Sequence, residues 1–317
     1  MAHTLLAWLR LLRLPNHATA VADVLAGFLI CSGPRPLEWP PAACWLAIAA
    51  SLCFYAAGMV LNDVFDVGID REERPERPLP SGAIDLATAS RVGHGLLSLG
   101  AVAASATAFA ARTPWPALVG AALTAAVWLY DRRAKHTAFG PAVMGSCRSC
   151  NWLLGMTAAG GPHAAHEWLA PVGMGIYVAG ITLFSRDEAG RSRVPILAAA
   201  TGLMAAGLAV AATHPWLAAH IRTGEHWNVG GPWLAGGRLS MWLVLWAILG
   251  TSILGRAVIA VADPAPARVR LAVGNAIQSI ITLDAALVLA ACGEPWAIVV
   301  LCLLAFFLLG RRLVSPT

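Results

Sequence analysis

The chain reads as an all-α, polytopic membrane bundle, and three observations predict it. Charged residues make up only 12% of the 317 while hydrophobic residues reach 58%, whereas a soluble domain carries about 25% charged residues. Apolar stretches near spanning length recur from one end of the chain to the other, and mean hydropathy is +0.67. Basic residues gather in alternate connections, as expected when one set of loops stays on the cytoplasmic side.

Taken in order, Leu5 to Leu14 with Arg10 and Arg13 forms a short amphipathic helix at the interface, too short to span. It lacks a small-residue cleavage site, so a removable signal peptide is not expected. Ten spans follow, at 16–32, 42–63, 87–110, 115–131, 138–159, 167–185, 194–213, 239–262, 270–291 and 295–312. Several are bounded by helix punctuation: Gly33-Pro34 closes the first, Pro40-Pro41 opens the second, and Gly160-Gly161-Pro162 closes the fifth. No linker, low-complexity tract or internal repeat divides the sequence, so residues 1–317 are expected to form a single domain.

The charges set the orientation. With the N-terminus cytoplasmic, the inner ends carry Arg10 and Arg13, then Arg71, Arg74 and Arg77, then Arg132, Arg133 and Lys135. Arg186, Arg191 and Arg193 follow, then Arg268 and Arg270, and finally Arg311 and Arg312. Arg35, Arg112, Arg222 and Arg238 fall opposite, which fits ten spans with both termini inside. The net charge of +5 therefore serves topology and contact with anionic membrane lipids. Its scatter over loops argues against a nucleic-acid partner. Trp216, Trp227 and Trp233 in the outer loop read as an interfacial belt.

The chemistry concentrates at Asn62-Asp63-Val64-Phe65-Asp66-Val67-Gly68-Ile69-Asp70, at the end of the second span. On a helix Asp63, Asp66 and Asp70 fall within an arc of about 60°. Carboxylates that close repel one another unless a cation lies between them. A hard divalent ion such as Mg²⁺ suits them, because it takes oxygen ligands and leaves positions for phosphate oxygens. Arg71, Arg74 and Arg77 follow, and guanidinium groups beside a metal suit a diphosphate. Glu72, Glu73 and Glu76 read as solvated loop charges.

The loop Tyr130 to Thr137 is a second cluster on the same side. Lys135 or an arginine there suits a diphosphate and Tyr130 or Asp131 could orient it, unless the loop is merely topogenic. Arg148 and Asn151 lie inside the following span, one turn apart, and point to pocket lining. Asn16 is a further pocket candidate; Asp23 serves either the pocket or an interhelical hydrogen bond. Asp284 and Gln278 require partners that the sequence does not name. Cys147 and Cys150 read as packing, since no second cysteine pair accompanies them.

These residues resemble the UbiA superfamily of intramembrane prenyltransferases. The Asn-Asp-x-x-Asp-x-x-x-Asp run, Arg74, Arg77-Pro78-Leu79 and Ser81-Gly82 are similar to its first aspartate-rich motif, and Arg13-Leu14-Pro15-Asn16 and Tyr130 to Lys135 extend the likeness. The resemblance implies nine core helices, here with a tenth at the C-terminus, and Mg²⁺-dependent transfer of an isoprenyl group from its diphosphate to a lipophilic or aromatic acceptor. It implies that Asp63, Asp66 and Asp70 hold the metal, and that Asn62, Arg74, Arg77 and Lys135 serve it or the diphosphate.

The family's second acidic pair is altered. Aligned on Gly190, its two positions hold Thr182 and Arg186, with Asp187 and Glu188 shifted by one or two residues. Either the shifted acids reach a second ion or Arg186 grips the diphosphate in its place. Together with Cys147-Arg148 to Asn151 and Phe184-Ser185-Arg186, this pattern resembles the EboC subgroup. That subgroup is associated with an operon implicated in trafficking of a secondary metabolite across the inner membrane, which implies membrane-complex partners. The alternative it implies is a non-catalytic isoprenoid-binding or trafficking protein.

Overall fold

The computed structural model describes residues 2–32, 41–186, 192–220 and 239–313. Among them every regular element is helical. Helix α1 (Ala2–Leu11) leads through a short 3₁₀ turn, Leu14–Asn16, into α2 (His17–Ser32). Then come α3 (Ala42–Glu73), α4 (Leu86–Ala111), α5 (Trp115–Arg132) and α6 (Gly140–Ala158). The chain continues with α7 (Leu169–Phe184), α8 (Val194–His220), α9 (Leu239–Ala262), α10 (Pro266–Cys292) and α11 (Glu294–Leu313). Eight of these, α2–α4 and α7–α11, are long and apolar enough to cross a membrane. Helices α5 and α6 are more polar, because α5 ends on Asp131-Arg132 and α6 carries Ser146, Arg148, Ser149 and Asn151.

The distribution of side chains is that of a bundle in lipid. Phe109, Val102, Leu271 and Ile248 are exposed on its outside, whereas Asp23, Ser51, Asn151 and Asp284 are buried within. Helix α2 lies at the centre, packed on α3, α6, α10 and α11. Its contact with α6 depends on small residues. A Cβ at Gly155 would stand 2.7 Å from the Val24 carbonyl carbon, and one at Gly27 3.2 Å from the Met156 nitrogen.

One difference from the sequence expectation matters for function. Helix α3 continues ten residues past the expected end of its span, to Glu73, because no proline interrupts it before Pro75. The acidic motif is therefore helical throughout. The following turn is then fixed by packing: Leu79 and Ile84 are buried with Ala7, Leu11 and Val60, and Ile84 N–H donates to Pro78 O at 3.1 Å. Asp85 caps α4 by accepting from Thr88 N–H at 2.8 Å, and this bond with that of the Thr88 hydroxyl holds its carboxyl below the usual aspartate range.

Candidate functional site

A cavity of about 300 Å³ opens between α2, α3, α5, α6, α7 and α10. Phe54, Met59, Leu123, Val127, Ile181 and Ile277 form its apolar wall. The structure brings to it five residues singled out from sequence: Asn16, Asn62, Tyr130, Arg148 and Asn151. Asp131 and Thr182, both noted in the sequence, line it as well, as do Arg13, Ser51, Tyr55 and Ser185, for which the sequence had indicated no place in a pocket. Arg13 had been read only as an orientation signal and part of a family motif. Its proximity to the acids arises because the left-handed backbone at Arg13 (φ 48°) folds α1 back beside α3.

One end of the cavity is strongly charged. Asp63 Oδ1 lies 3.1 Å from Arg13 Nη2 and 3.7 Å from Arg77 Nη1. Asp66 Oδ1 lies 2.7 Å from Lys135 Nζ and 3.5 Å from His136 Nε2. Lys135 also donates to Asn62 O at 3.2 Å and to Asn62 Oδ1 at 3.3 Å. One turn further along α3, Arg77 Nη1 donates to both oxygens of Asp70 at 2.9 and 2.8 Å, and both residues are buried. The three aspartates thus face Arg13, Arg77, Lys135 and His136, with Arg77 shared between Asp63 and Asp70, and among the described residues no three His, Cys, Asp or Glu side chains converge as a metal cluster.

The donor chemistry nevertheless fits a hard divalent ion best at Asp63 and Asp66. Both are carboxylates one turn apart, beside the Asn62 amide oxygen. Among the described residues, every contact of Asp63 falls on Oδ1. Arg74 caps the end of α3 and makes no side-chain bond to a described residue. Arg186 is exposed and donates to Thr137 O at the rim. Asp187 and Glu188 lie outside the described residues.

A second polar group sits inside the bundle. Arg148 pairs with Asp23 and donates to Thr19 O at 3.3 Å. Asn151 donates to Asp23 Oδ2 at 2.8 Å and to Ala20 O at 3.0 Å, and accepts from Ser51 Oγ at 2.6 Å. Asp284 lies close to Asp23 and Arg148, both aspartates are wholly buried, and neither carboxyl oxygen of Asp284 has a hydrogen-bond partner among the described residues.

The comparisons agree with this architecture. The sequence profile of the UbiA prenyltransferase family matches residues 20–273. A digeranylgeranylglyceryl phosphate synthase from Metallosphaera sedula is 27% identical over 183 residues, 57% of this chain and 60% of that protein. One from Methanoregula boonei is 36% identical over 148 residues, 46% and 49% of the two chains. The alignments thus span about half to three-fifths of these relatives. Among solved structures, a study of digeranylgeranylglyceryl phosphate synthase superposes with TM-score 0.62 at 21% identity, covering 92% of this chain and 99% of that one. A UbiA homologue from Archaeoglobus fulgidus bound to DMAPP and Mg²⁺ gives 0.56 at 16% identity, covering 84% and 99%. Since the profile extends over most of the sequence, the chain belongs to the UbiA prenyltransferase family.

Proposed function

We propose that the protein transfers an isoprenyl group from its diphosphate to a lipophilic or aromatic acceptor, with Mg²⁺, within a membrane. The observation that carries this reading is an apolar cavity lined at one end by Arg13, Asn62 and Asp131, with Asp63 held on Arg13, Lys135 held on Asn62 and Asp66 held on Lys135. An isoprenoid tail and a diphosphate head need those two environments in that order. Each CH₂ buried against the wall contributes about 0.8 kcal/mol. Asp63 and Asp66 would hold the ion, which when bound neutralises charge on the departing diphosphate.

Lys135, Arg13 and Arg77 then supply cationic donors for phosphate oxygens, and Arg74 adds another beside the turn. Asp70 acts through Arg77, which it holds 3.7 Å from Asp63. The Phe54, Met59 and Ile181 wall excludes water from the allylic carbon, so that the acceptor captures it instead of hydroxide. Names of the relatives make a glycerol-based lipid one acceptor to test beside aromatic ones. The Thr182 and Arg186 positions and the Cys147 to Asn151 run support a likeness to the EboC pattern, and with it a bacterial inner membrane with both termini cytoplasmic.

The test incubates purified protein with radiolabelled dimethylallyl, geranyl and geranylgeranyl diphosphates, with and without Mg²⁺ and with each acceptor class. Magnesium-dependent diphosphate release and a prenylated acceptor are expected. Magnesium-dependent binding with no release under any condition would refute catalysis and identify an isoprenoid binder.

A further inference from the structure

The charge inventory at the head of the cavity leaves one residue over. Asp63 has Arg13, Asp66 has Lys135, and Asp70 has Arg77. Asp131, in the last turn of α5, has no hydrogen bond or ion pair among the described residues. It is 3% exposed, its Oδ2 is buried without a donor, and it lines the cavity. The charges nearest to it are Lys135, Asp66, Asp63 and Arg13, and the two bases among them are already committed. A buried carboxyl oxygen without a hydrogen-bond partner is costly, and each such group in a folded protein calls for an explanation, here in what the site binds.

The position sharpens the problem. Resting on the proposed function, a diphosphate head must approach this end of the cavity, where a lone carboxylate would repel it. Across the cavity, α7 contributes Thr182 and Ser185, and Asp131 is the one carboxylate among the described lining residues. We infer that Asp131 is a ligand for a second divalent cation at the diphosphate end of the cavity, facing the Asp63 and Asp66 side of α3. It would supply from α5 the acidic oxygen that the described part of α7 does not. The ion bridges Asp131 to phosphate oxygens, converting a repulsive contact into an attractive one.

Mn²⁺ provides the probe, because its free form is counted directly by electron paramagnetic resonance. The full-length protein is titrated with Mn²⁺ in the presence of geranyl thiolodiphosphate, an analogue slow to ionise. Wild type is expected to bind two ions per chain and Asp131→Asn one, with unchanged melting temperature in the absence of metal. Two ions retained by Asp131→Asn, or one ion bound by both proteins, would overturn the assignment while leaving the proposed function intact. A melting temperature lowered by this near-isosteric change would also overturn it, by making Asp131 a structural residue. Asp63→Asn is the control for the wider reading: if wild type binds neither Mn²⁺ nor analogue, or if Asp63→Asn binds both like wild type, the proposed site itself is wrong.

Discussion

Replacing Asp23 with Ala tests the network at the centre of the bundle. Asp23 is wholly buried, Arg148 keeps only 10% of its side chain exposed, and Asn151 loses one acceptor. Removing one member of a buried ion pair costs about 3–5 kcal/mol, because the charge left behind has neither solvent nor partner. Unfolding entropy near 2.1 cal/mol/K per residue, over 317 residues, converts this to a fall of about 4–8 °C in melting temperature. A thiol-reactive fluorophore can follow unfolding in detergent, since Cys44 and Cys292 are buried and free in the folded protein. Asp23→Ala combined with Arg148→Met should recover most of the loss, because it removes the stranded charge as well as its partner. A fall below about 2 °C for the single variant, or a double variant no more stable than the single, would refute the reasoning.

Two further outcomes follow from the geometry. Gly155→Ala inserts a methyl group against the Val24 backbone, where no flexible side chain can yield; forcing α2 from α6 should cost about 1–3 kcal/mol, seen as a lower melting temperature. Lys135→Met removes the cation beside Asn62 and Asp66, and should weaken binding of labelled geranyl thiolodiphosphate by about 10-fold or more, the worth of one charge-assisted hydrogen bond. Unaltered affinity in a filter-binding assay would restrict Lys135 to neutralising Asp66.

Much of the site could be read along the chain because its signals are local. Asn62 to Asp70 are neighbours on one helix, so periodicity alone places their carboxylates on one face. Arg148 and Asn151 stand out because polar side chains are rare and expensive inside an apolar helix. The pairings were not readable, since they join segments far apart. Arg13 meets Asp63 across 50 residues, Asn151 meets Asp23 across 128, and nothing local distinguishes Arg13 from an ordinary topogenic arginine. The packed turn at Leu79 and Ile84 also holds Arg77 on Asp70, a pairing that spacing alone did not announce.

The sequence by itself determined the helical membrane class, the approximate limits of the spans and the acidic, basic and polar residues on which the chemistry rests. Apolar periodicity and the cost of burying charge in lipid act within single segments, so they leave their imprint in residue order. Tertiary structure decided which charges neutralise one another, that Asp284 lies close to Asp23 and Arg148, and that Asp131 lines the cavity with a buried carboxyl oxygen left unpaired. Those outcomes depend on distances between helices, set by close contacts such as Gly155 on Val24, and linear spacing carries no measure of them.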